Sequence, residues 1–203
     1  HVSASCRIVP EYREYERFST TVVNAYVSPV MSKYLTSLET GLETKNIRIM
    51  QSNGGSISTG VAKEQAVNCI LSGPAGGVVG ASGTAKLVGI KKIISFDMGG
   101  TSTDVSLCNG DVRLTTQTLI NEIPIKIPVV DMMTVGAGGG SLAYIDSGGA
   151  LRVGPQSAGA DPGPVCYGKG KEITVTDANL FLGRISADFF LGGRMRLKTE
   201  MVS

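Results

Sequence analysis

The chain has 203 residues, of which 42% are hydrophobic and 18% charged, a balance typical of a folded domain with a substantial core. Its net charge is only +2 and its basic residues are scattered, which disfavours nucleic acid as a partner. No apolar stretch reaches the roughly 20 residues of a membrane span, and the sequence opens without a signal peptide. We therefore expect a cytoplasmic protein with no membrane partner.

The four cysteines and the single histidine argue against several kinds of site. The cysteines form no CxxC pair, which disfavours a zinc ribbon or a thioredoxin motif and predicts reduced thiols. The one histidine is His1, so these residues cannot build a Ser-His-Asp triad, a Cys-His dyad or a multi-histidine metal site. Any chemistry here depends on other side chains or on the backbone.

Helical patterns dominate the first part of the chain. Apolar residues recur at three- and four-residue spacing within residues 20–45, which predicts a long helix with a kink or restart at Pro29. The charged run EYREYER before it indicates a solvated face or a loop, and IRIM indicates a short strand. Small residues over about 74–88 predict a second helix that can lie close against a neighbouring element.

Strand patterns dominate from residue 91 onwards. The pair Asn109 and Gly110 lies between two alternating runs, which predicts a β-hairpin at that point. Near the end of the chain, Thr176 or Asp177 is predicted to cap a short helix. The predicted strands are KKIISF, TDVSLC, DVRLTTQTLI, PIKIPVVDMMTV and the two arms of a hairpin in SLAYIDSGGALRV.

The most informative motif is SFDMGGTSTDVSL, residues 95–107, in which Asp97 ends an apolar strand and two glycines follow. Glycine exposes backbone N–H groups that no side chain screens, and a bound phosphate needs such donors. The motif therefore suggests a nucleotide site. The residues alone also permit a plainer interpretation, a glycine-rich hairpin turn that Asp97 caps.

Seven segments stand in collinear order along nearly the whole chain. They are EYERFSTTVVNAYVSP, MQSNGG, ILSGPAGGVVGA, FDMGGTSTDVSL, VGAGGGSLAYID, LRVGPQSAGADPGPVCYG and TVTDANLFLGRI. With these segments the chain resembles the central hydantoinase A domain of the hydantoinase/oxoprolinase family. Because the resemblance covers nearly the whole chain, it is far more specific than one glycine-rich loop.

The resemblance implies an α/β fold. It would be a ribonuclease-H-like lobe of the actin, sugar kinase and DnaK ATPase superfamily, with a mixed sheet flanked by helices. Within the domain, residues 1–90 would form a helical and strand segment that ends in a glycine-rich helix, and residues 91–203 would form the part with the phosphate loop. The family also carries an N-terminal lobe with a second Asp-Gly-Gly-Thr loop, which does not precede His1 here, so we expect a fragment that is inactive alone.

The resemblance further implies ATP-dependent hydrolysis of a small cyclic amide, such as a hydantoin, 5-oxoproline or another lactam. The cofactors would be ATP and Mg²⁺, and a hydantoinase B-type subunit or domain would complete the enzyme together with the N-terminal lobe. Two alternatives stay open. One is a subunit of an ATP-dependent carboxylase of the acetone or acetophenone type, and the other is a non-catalytic nucleotide-binding module for assembly.

In the resemblance-based interpretation, the motif at residues 95–107 binds phosphate. Asp97 would hold Mg²⁺ or position the attacking group, and Asp104 would serve the same metal or merely cap the returning strand. The expected phosphate contacts are Gly99, Gly100, Thr101, Ser102 and Thr103.

A second glycine-rich segment, GAGGGS, permits close approach of nucleotide or substrate, or is a bulge at a crowded contact. The candidate contacts in it are Gly136, Gly138, Gly139, Gly140 and Ser141. Just before it the chain has Met133, where the family commonly has histidine, so a role for that histidine does not transfer. Asn53 and Asp161 are expected to lie in simple turns.

Overall fold

The chain divides into two units that interleave along the sequence. The computed structural model describes residues 2–42, 46–116, 118–120 and 122–203. The first unit comprises His1–Ser95 and Ser106–Met132, and the second comprises Phe96–Val105 and Met133–Ser203. Helices and small sheets occur together, as the α/β class requires. The division into 1–90 and 91–203 stays a prediction.

Among the described residues, the first unit contains four α-helices. They are α1 (Ser5–Ile8), α2 (Glu14–Gly41), α3 (Thr59–Glu64) and α4 (Ser72–Leu87). The predicted long helix is confirmed as α2, but it begins inside EYREYER and continues through Pro29 without a restart. Its buried Asn24 donates to the Glu64 carbonyl at 3.0 Å and accepts from the Val67 N–H at 3.1 Å. Within the described ranges, no helix is long and apolar enough to cross a membrane.

The strands are mostly short. In chain order they are β1 (Arg48–Met50), β2 (Ser56–Ser58), β3 (Lys92–Met98), β4 (Thr103–Asn109), β5 (Leu114–Thr115), β6 (Thr118–Ile120), β7 (Ile123–Ile125), β8 (Val129–Val130), β9 (Met133–Val135), β10 (Ser141–Ile145) and β11 (Leu151–Ser157). The two-stranded pairs β1–β2, β5–β8, β6–β7 and β10–β11 are all antiparallel.

Two of the predicted long strands are wrong, because DVRLTTQTLI and PIKIPVVDMMTV are each divided among several short strands. Pro128 lies at one of the interruptions, and a proline has no N–H to donate to a ladder. The short strands then find different partners, since β5 pairs with β8 and β6 with β7. Gln117 in the first predicted strand, and residues 43–45 at the end of the predicted helix, lie outside the described residues.

The core of the first unit consists of three apolar clusters. The predicted small-residue helix is confirmed as α4, which contributes Ala75 and Val78 to one of them. The second cluster is centred on Val67, which is fully buried, and the third on Leu35 of α2.

A three-stranded sheet of order β3–β4–β9 carries the motif SFDMGGTSTDVSL, residues 95–107. The hairpin predicted at Asn109 and Gly110 is wrong, because both edges of β4 are already paired, one with β3 and one with β9. Gly110 instead has a positive φ of 87° and donates its N–H to the Lys91 carbonyl. The true hairpin is β3–β4, and it turns at the glycines of the motif.

The rest of the second unit contains the hairpin β10–β11, which is confirmed, and the short helix α5 (Val175–Phe181). The residue that caps α5 is Thr174, so the prediction of Thr176 or Asp177 misplaced the cap. Asp177 takes the reciprocal position of the capping box, where its carboxylate accepts the backbone N–H of Thr174 at 2.9 Å. An apolar cluster of Cys166, Leu180 and Leu197 packs beneath this helix.

Candidate functional site

The turn of the β3–β4 hairpin, residues 99–102, is here called the first loop. Gly99 donates its N–H to the Ser102 carbonyl at 2.9 Å, which leaves Gly100 and Thr101 at the exposed tip. Among the described residues, no acceptor receives the N–H of Gly100 or Thr101. Of the predicted N–H donors to phosphate, Gly100 and Thr101 are therefore available and Gly99 is not.

The space around Gly100 is open. A Cβ built on this residue would meet no heavy atom within 4 Å, and its φ lies outside the left-handed region. Neither the fold nor the backbone conformation thus requires glycine at this position. What glycine provides here is an unscreened N–H and free space above it, which are the properties that a phosphate group needs.

The two predicted carboxylates lie side by side at the base of the first loop. Two backbone hydrogen bonds, Gly99 to Ser102 and Gly110 to Lys91, set the register of the hairpin. In that register Asp97 on β3 lies opposite Asp104 on β4, and both side chains point to the same face. The structure therefore brings together the two acidic residues of the motif.

Thr134 extends this pair into a row across all three strands. Asp104 is the registered partner of Thr134 on β9, and the Thr134 hydroxyl donates to Oδ1 of Asp104 at 2.6 Å. The carboxylate of Asp97 accepts no hydrogen bond from any described residue, so in this structure it does not cap the turn. Sequence reasoning missed Thr134, because only the strand register reveals that it reaches Asp104.

The donor set fits a divalent cation that also binds phosphate. Like charges directly opposite each other on neighbouring strands repel, and a cation between them would remove that repulsion. No group of three or more acidic, histidine or cysteine side chains suited to a metal occurs in the described ranges. Magnesium commonly takes one or two carboxylates and completes its shell with water and substrate phosphates, so Asp97 with Asp104 is a sufficient protein contribution.

The second glycine-rich segment, residues 136–141, is here called the second loop, and it packs directly against the first. Gly139 donates its N–H to the Gly99 carbonyl at 2.9 Å, and Gly140 donates to the Gly100 carbonyl at 2.7 Å. A Cβ on Gly138 would lie 2.7 Å from the Thr101 nitrogen and 2.8 Å from the Gly99 oxygen. These glycines are therefore required by the contact between the two loops.

The N–H groups of Gly138, Gly139 and Gly140 in the second loop are already used within the protein. Besides the bonds to the first loop, Gly138 donates to the hydroxyl of Ser141 at 2.8 Å, and Ser141 is fully buried. Of the second-loop residues predicted to contact nucleotide, only Gly136 is exposed. The close approach that the glycines permit is thus an approach of the protein's own backbone. A direct role of the second loop in nucleotide binding stays a prediction.

Further hydrogen bonds attach the second loop to β4 and to α5. The hydroxyl of Thr103 donates to the Ala137 carbonyl, so this predicted phosphate contact is buried and occupied. Thr176 at the start of α5 donates both its N–H and its hydroxyl to the Gly139 carbonyl, each at 2.8 Å. Since Gly139 in turn donates to Gly99, a continuous set of bonds joins α5 to the first loop.

The start of α5 is itself fixed by a buried carboxylate. Burial alone would raise the pKa of Asp177, but hydrogen bonds from Cys166 and from Thr174 hold that pKa below its ordinary value. The pKa of Cys166 is raised to about 12, first by burial and then by the Asp177 carboxylate, so this thiol stays protonated. Cys166 is a structural residue and carries no reactive thiolate.

The remaining candidates lie in ordinary structural positions. Met133 on β9 pairs with Val105 on β4 and is 70% exposed. Alternation along β9 puts its side chain on the face opposite to Thr134. Asn53 accepts the N–H of Gly55, as expected of a simple turn. Asp161 is exposed and lies 3.3 Å from the ammonium of Lys169.

The sequence profile described as hydantoinase/oxoprolinase matches residues 17–203, and the chain belongs to that family. It is 45% identical over 205 residues to caprolactamase subunit alpha of Pseudomonas jessenii, a match that covers 98% of this chain and 30% of the relative. It is 48% identical over 197 residues to the 5-oxoprolinase of Saccharomyces cerevisiae, where the match covers 94% of this chain and 15% of the relative.

Two solved structures share the fold over 98% of this chain. The ATP-dependent caprolactamase from Pseudomonas jessenii has a TM-score of 0.79 at 44% identity, and this chain spans 30% of it. The nucleotide-free acetone carboxylase has a TM-score of 0.78 at 33% identity, and this chain spans 29% of it. The chain thus spans less than a third of the length of each relative named here.

Proposed function

We propose that this chain is the nucleotide-binding core of an enzyme that uses ATP to hydrolyse a cyclic amide, such as a hydantoin, 5-oxoproline or another lactam. The observation that carries the proposal is the juxtaposition of the exposed N–H groups of the first loop with the carboxylates of Asp97 and Asp104. Two relatives are a 5-oxoprolinase and an ATP-dependent caprolactamase, and their names support a cyclic amide as the substrate and ATP as the nucleotide.

Each part of the site has a defined task in this proposal. The N–H groups of Gly100 and Thr101 donate to phosphate oxygens, and they need little rearrangement because the second loop fixes the backbone that carries them. Asp97 and Asp104 hold Mg²⁺, which when bound neutralises charge on the polyphosphate. Transfer of the γ-phosphoryl group of ATP to the amide oxygen, with ADP as the leaving group and loss of the amide proton, converts the resonance-stabilised amide into a phosphorylated imidate. Water then adds at its carbon, the C–N bond of the ring breaks, and hydrolysis releases phosphate.

We also assign the fold to the ribonuclease-H-like lobes of the actin, sugar kinase and DnaK ATPase superfamily. A strand that carries Asp97 next to its last residue, a glycine turn and a returning strand support this assignment. An N-terminal lobe with a second phosphate loop, and a hydantoinase B-type subunit or domain, would complete the enzyme. The name "subunit alpha" of the caprolactamase relative supports a multi-part assembly.

A second candidate is a subunit of an ATP-dependent carboxylase. The similarity to acetone carboxylase, with a TM-score of 0.78, is the observation in its favour. The two activities share the nucleotide chemistry and differ in the molecule that is activated. Bicarbonate therefore distinguishes them, because only a carboxylase needs it for ATP turnover.

The test is a single-turnover ATPase assay of the full-length protein that contains this chain, together with its partner. A panel of lactams and hydantoins is supplied with and without bicarbonate. We expect ATP turnover that depends on one cyclic amide and is unaffected by bicarbonate. Nucleotide binding without turnover on any substrate would instead indicate an assembly module, and these 203 residues alone should turn over ATP negligibly.

A further inference from the structure

We propose that Thr134 is a positioning residue, whose hydroxyl holds the Asp104 carboxylate in the orientation that receives the cation of a metal–nucleotide complex. The inference deepens the proposed function and rests on it, since it assumes that Asp97 and Asp104 serve that cation. Thr134 belongs to none of the glycine-rich motifs that the sequence singles out.

The first argument is the geometry of the hydrogen bond. The Thr134 hydroxyl lies 2.6 Å from Oδ1 of Asp104, a distance typical of a strong bond from a hydroxyl to a charged carboxylate. The bond occupies one oxygen and leaves Oδ2 without a hydrogen-bond partner among the described residues. One carboxylate oxygen is thus fixed to the protein, and the other is presented to a ligand.

The second argument is that the backbone places the donor before any ligand arrives. Thr134 and Asp104 are registered partners, and the flanking pairs Val105 with Met133 and Thr103 with Val135 keep β9 in place on both sides. The Thr103 hydroxyl also donates to the Ala137 carbonyl, which anchors the chain just after β9. Because the residues just before and just after Thr134 are both paired with β4, rotation of the Thr134 side chain is enough to form the bond.

The third argument is that the bond has little structural value. Thr134 is exposed and Asp104 is half-buried, so water can satisfy both groups if the bond is lost. Without the hydroxyl, Asp104 would turn away from the like charge of Asp97 across the hairpin. The hydroxyl therefore counters an electrostatic preference that would turn Asp104 away from a cation. Hydrogen-bond donors to a metal-binding carboxylate typically change metal affinity by about 10- to 100-fold.

The test compares Thr134→Val with Thr134→Ser in the full-length protein. Valine keeps the shape and the strand preference of threonine but has no hydroxyl, whereas serine keeps the hydroxyl. Mn²⁺ serves as the probe, and its binding is measured by electron paramagnetic resonance in the presence of a non-hydrolysable ATP analogue. Melting temperature and metal-free binding of the same analogue are measured in parallel.

We expect Thr134→Val to weaken Mn²⁺ binding roughly tenfold, with melting temperature and metal-free nucleotide affinity unchanged. Thr134→Ser should stay within about twofold of the wild type, because it keeps the donor. Thr118→Val on β6 of the first unit is the matched control and should leave Mn²⁺ binding unchanged.

Failure of the inference differs from failure of the proposed function. If the wild type binds Mn²⁺ with the analogue and Thr134→Val binds it equally well, the positioning role is overturned while the nucleotide site stands. Equal losses in the valine and serine variants would also overturn it, since the hydroxyl would not be the cause. If the wild type shows no metal-dependent nucleotide binding at all, both proposals fail together.

Discussion

The two glycine-rich loops of the second unit have similar sequences but opposite environments. In the first loop, Gly100 has open space around it and an N–H with no acceptor among the described residues. In the second loop, Gly138 would collide with the first loop if it carried a Cβ, and its N–H is already bonded to Ser141. Glycine content alone therefore does not identify a ligand site, because the same residue type lies in open space in one loop and is required by the protein's own packing in the other.

The largest expected effect comes from the carboxylate next to the first loop. Asp97→Asn keeps the size of the side chain but removes the charge that favours a metal ion, so lactam-dependent ATP turnover of the full-length enzyme should fall at least ~100-fold. Melting temperature should hardly change. Stopped-flow or steady-state ATPase assays measure the loss.

The control for Asp97→Asn is Asp161→Asn. Asp161 is exposed, and its ion pair with Lys169 contributes little to stability, so this variant should turn over ATP like the wild type. Near-normal ATP turnover in Asp97→Asn would mean that the motif is only a glycine turn between two strands.

Gly138→Ala tests the packing side of the comparison. The added methyl group would lie within 3 Å of three backbone atoms of the first loop, and backbone cannot move aside as a side chain can. The free energy of unfolding should fall by about 2 kcal/mol, as for other overpacked sites. Urea denaturation measures the change, and an unchanged midpoint would mean that the two loops do not make this contact.

Gly100→Val tests the ligand side of the same comparison and should give the reverse pattern. Its side chain enters open space, so the stability to urea should match that of the wild type. ATP affinity should weaken roughly tenfold, or about 1.4 kcal/mol, because the branched side chain fills the space that a phosphate must enter. Calorimetric titration of the full-length Gly100→Val variant with ATP measures the change. A normal ATP affinity would contradict phosphate binding at the first loop.

The smallest expected effect is on the stability of the fold, and it depends on pH through the Asp177 carboxylate at the start of α5. The folded-state pKa of Asp177 is below its ordinary value of 3.8, so its charge stabilises the fold above that pH. This stabilisation disappears as the pH falls through the folded-state pKa. Asp177→Asn should therefore be less stable than the wild type at pH 7, and the difference should narrow below pH 3.8. Denaturation curves at several pH values measure it, with Asp161→Asn following the wild type throughout.

Local sequence patterns predicted the elements that depend on local interactions. Helices α2 and α4 follow from apolar spacing and small residues, and the β10–β11 hairpin follows from alternation on both sides of a glycine turn. The prediction at Asn109 and Gly110 failed because β3 and β9 occupy both edges of β4, and that competition is invisible in a local window. The break at Pro128, by contrast, follows from the sequence itself, because a proline has no N–H to donate to a ladder.

The site was predictable in part for the same reason. The acidic residues and the first-loop glycines stand in one continuous motif, so the sequence brings them to one hairpin. The bonds from Gly139 to Gly99 and from Thr134 to Asp104 join segments that are distant along the chain, and only the sheet register reveals them. Which of the two loops is exposed and which is packed against the protein is a property of that tertiary contact.

The unequal bonding of the two loops has a consequence for the rates at which their amide protons exchange with water. The amides of Gly139 and Gly140 donate to backbone carbonyls and should exchange only when the second loop opens. The amide of Gly100 has no such acceptor among the described residues and should exchange quickly until a phosphate covers it. Addition of nucleotide should therefore slow exchange at the tip of the first loop first, and a time course of deuterium uptake would record the ligand's arrival at that one turn.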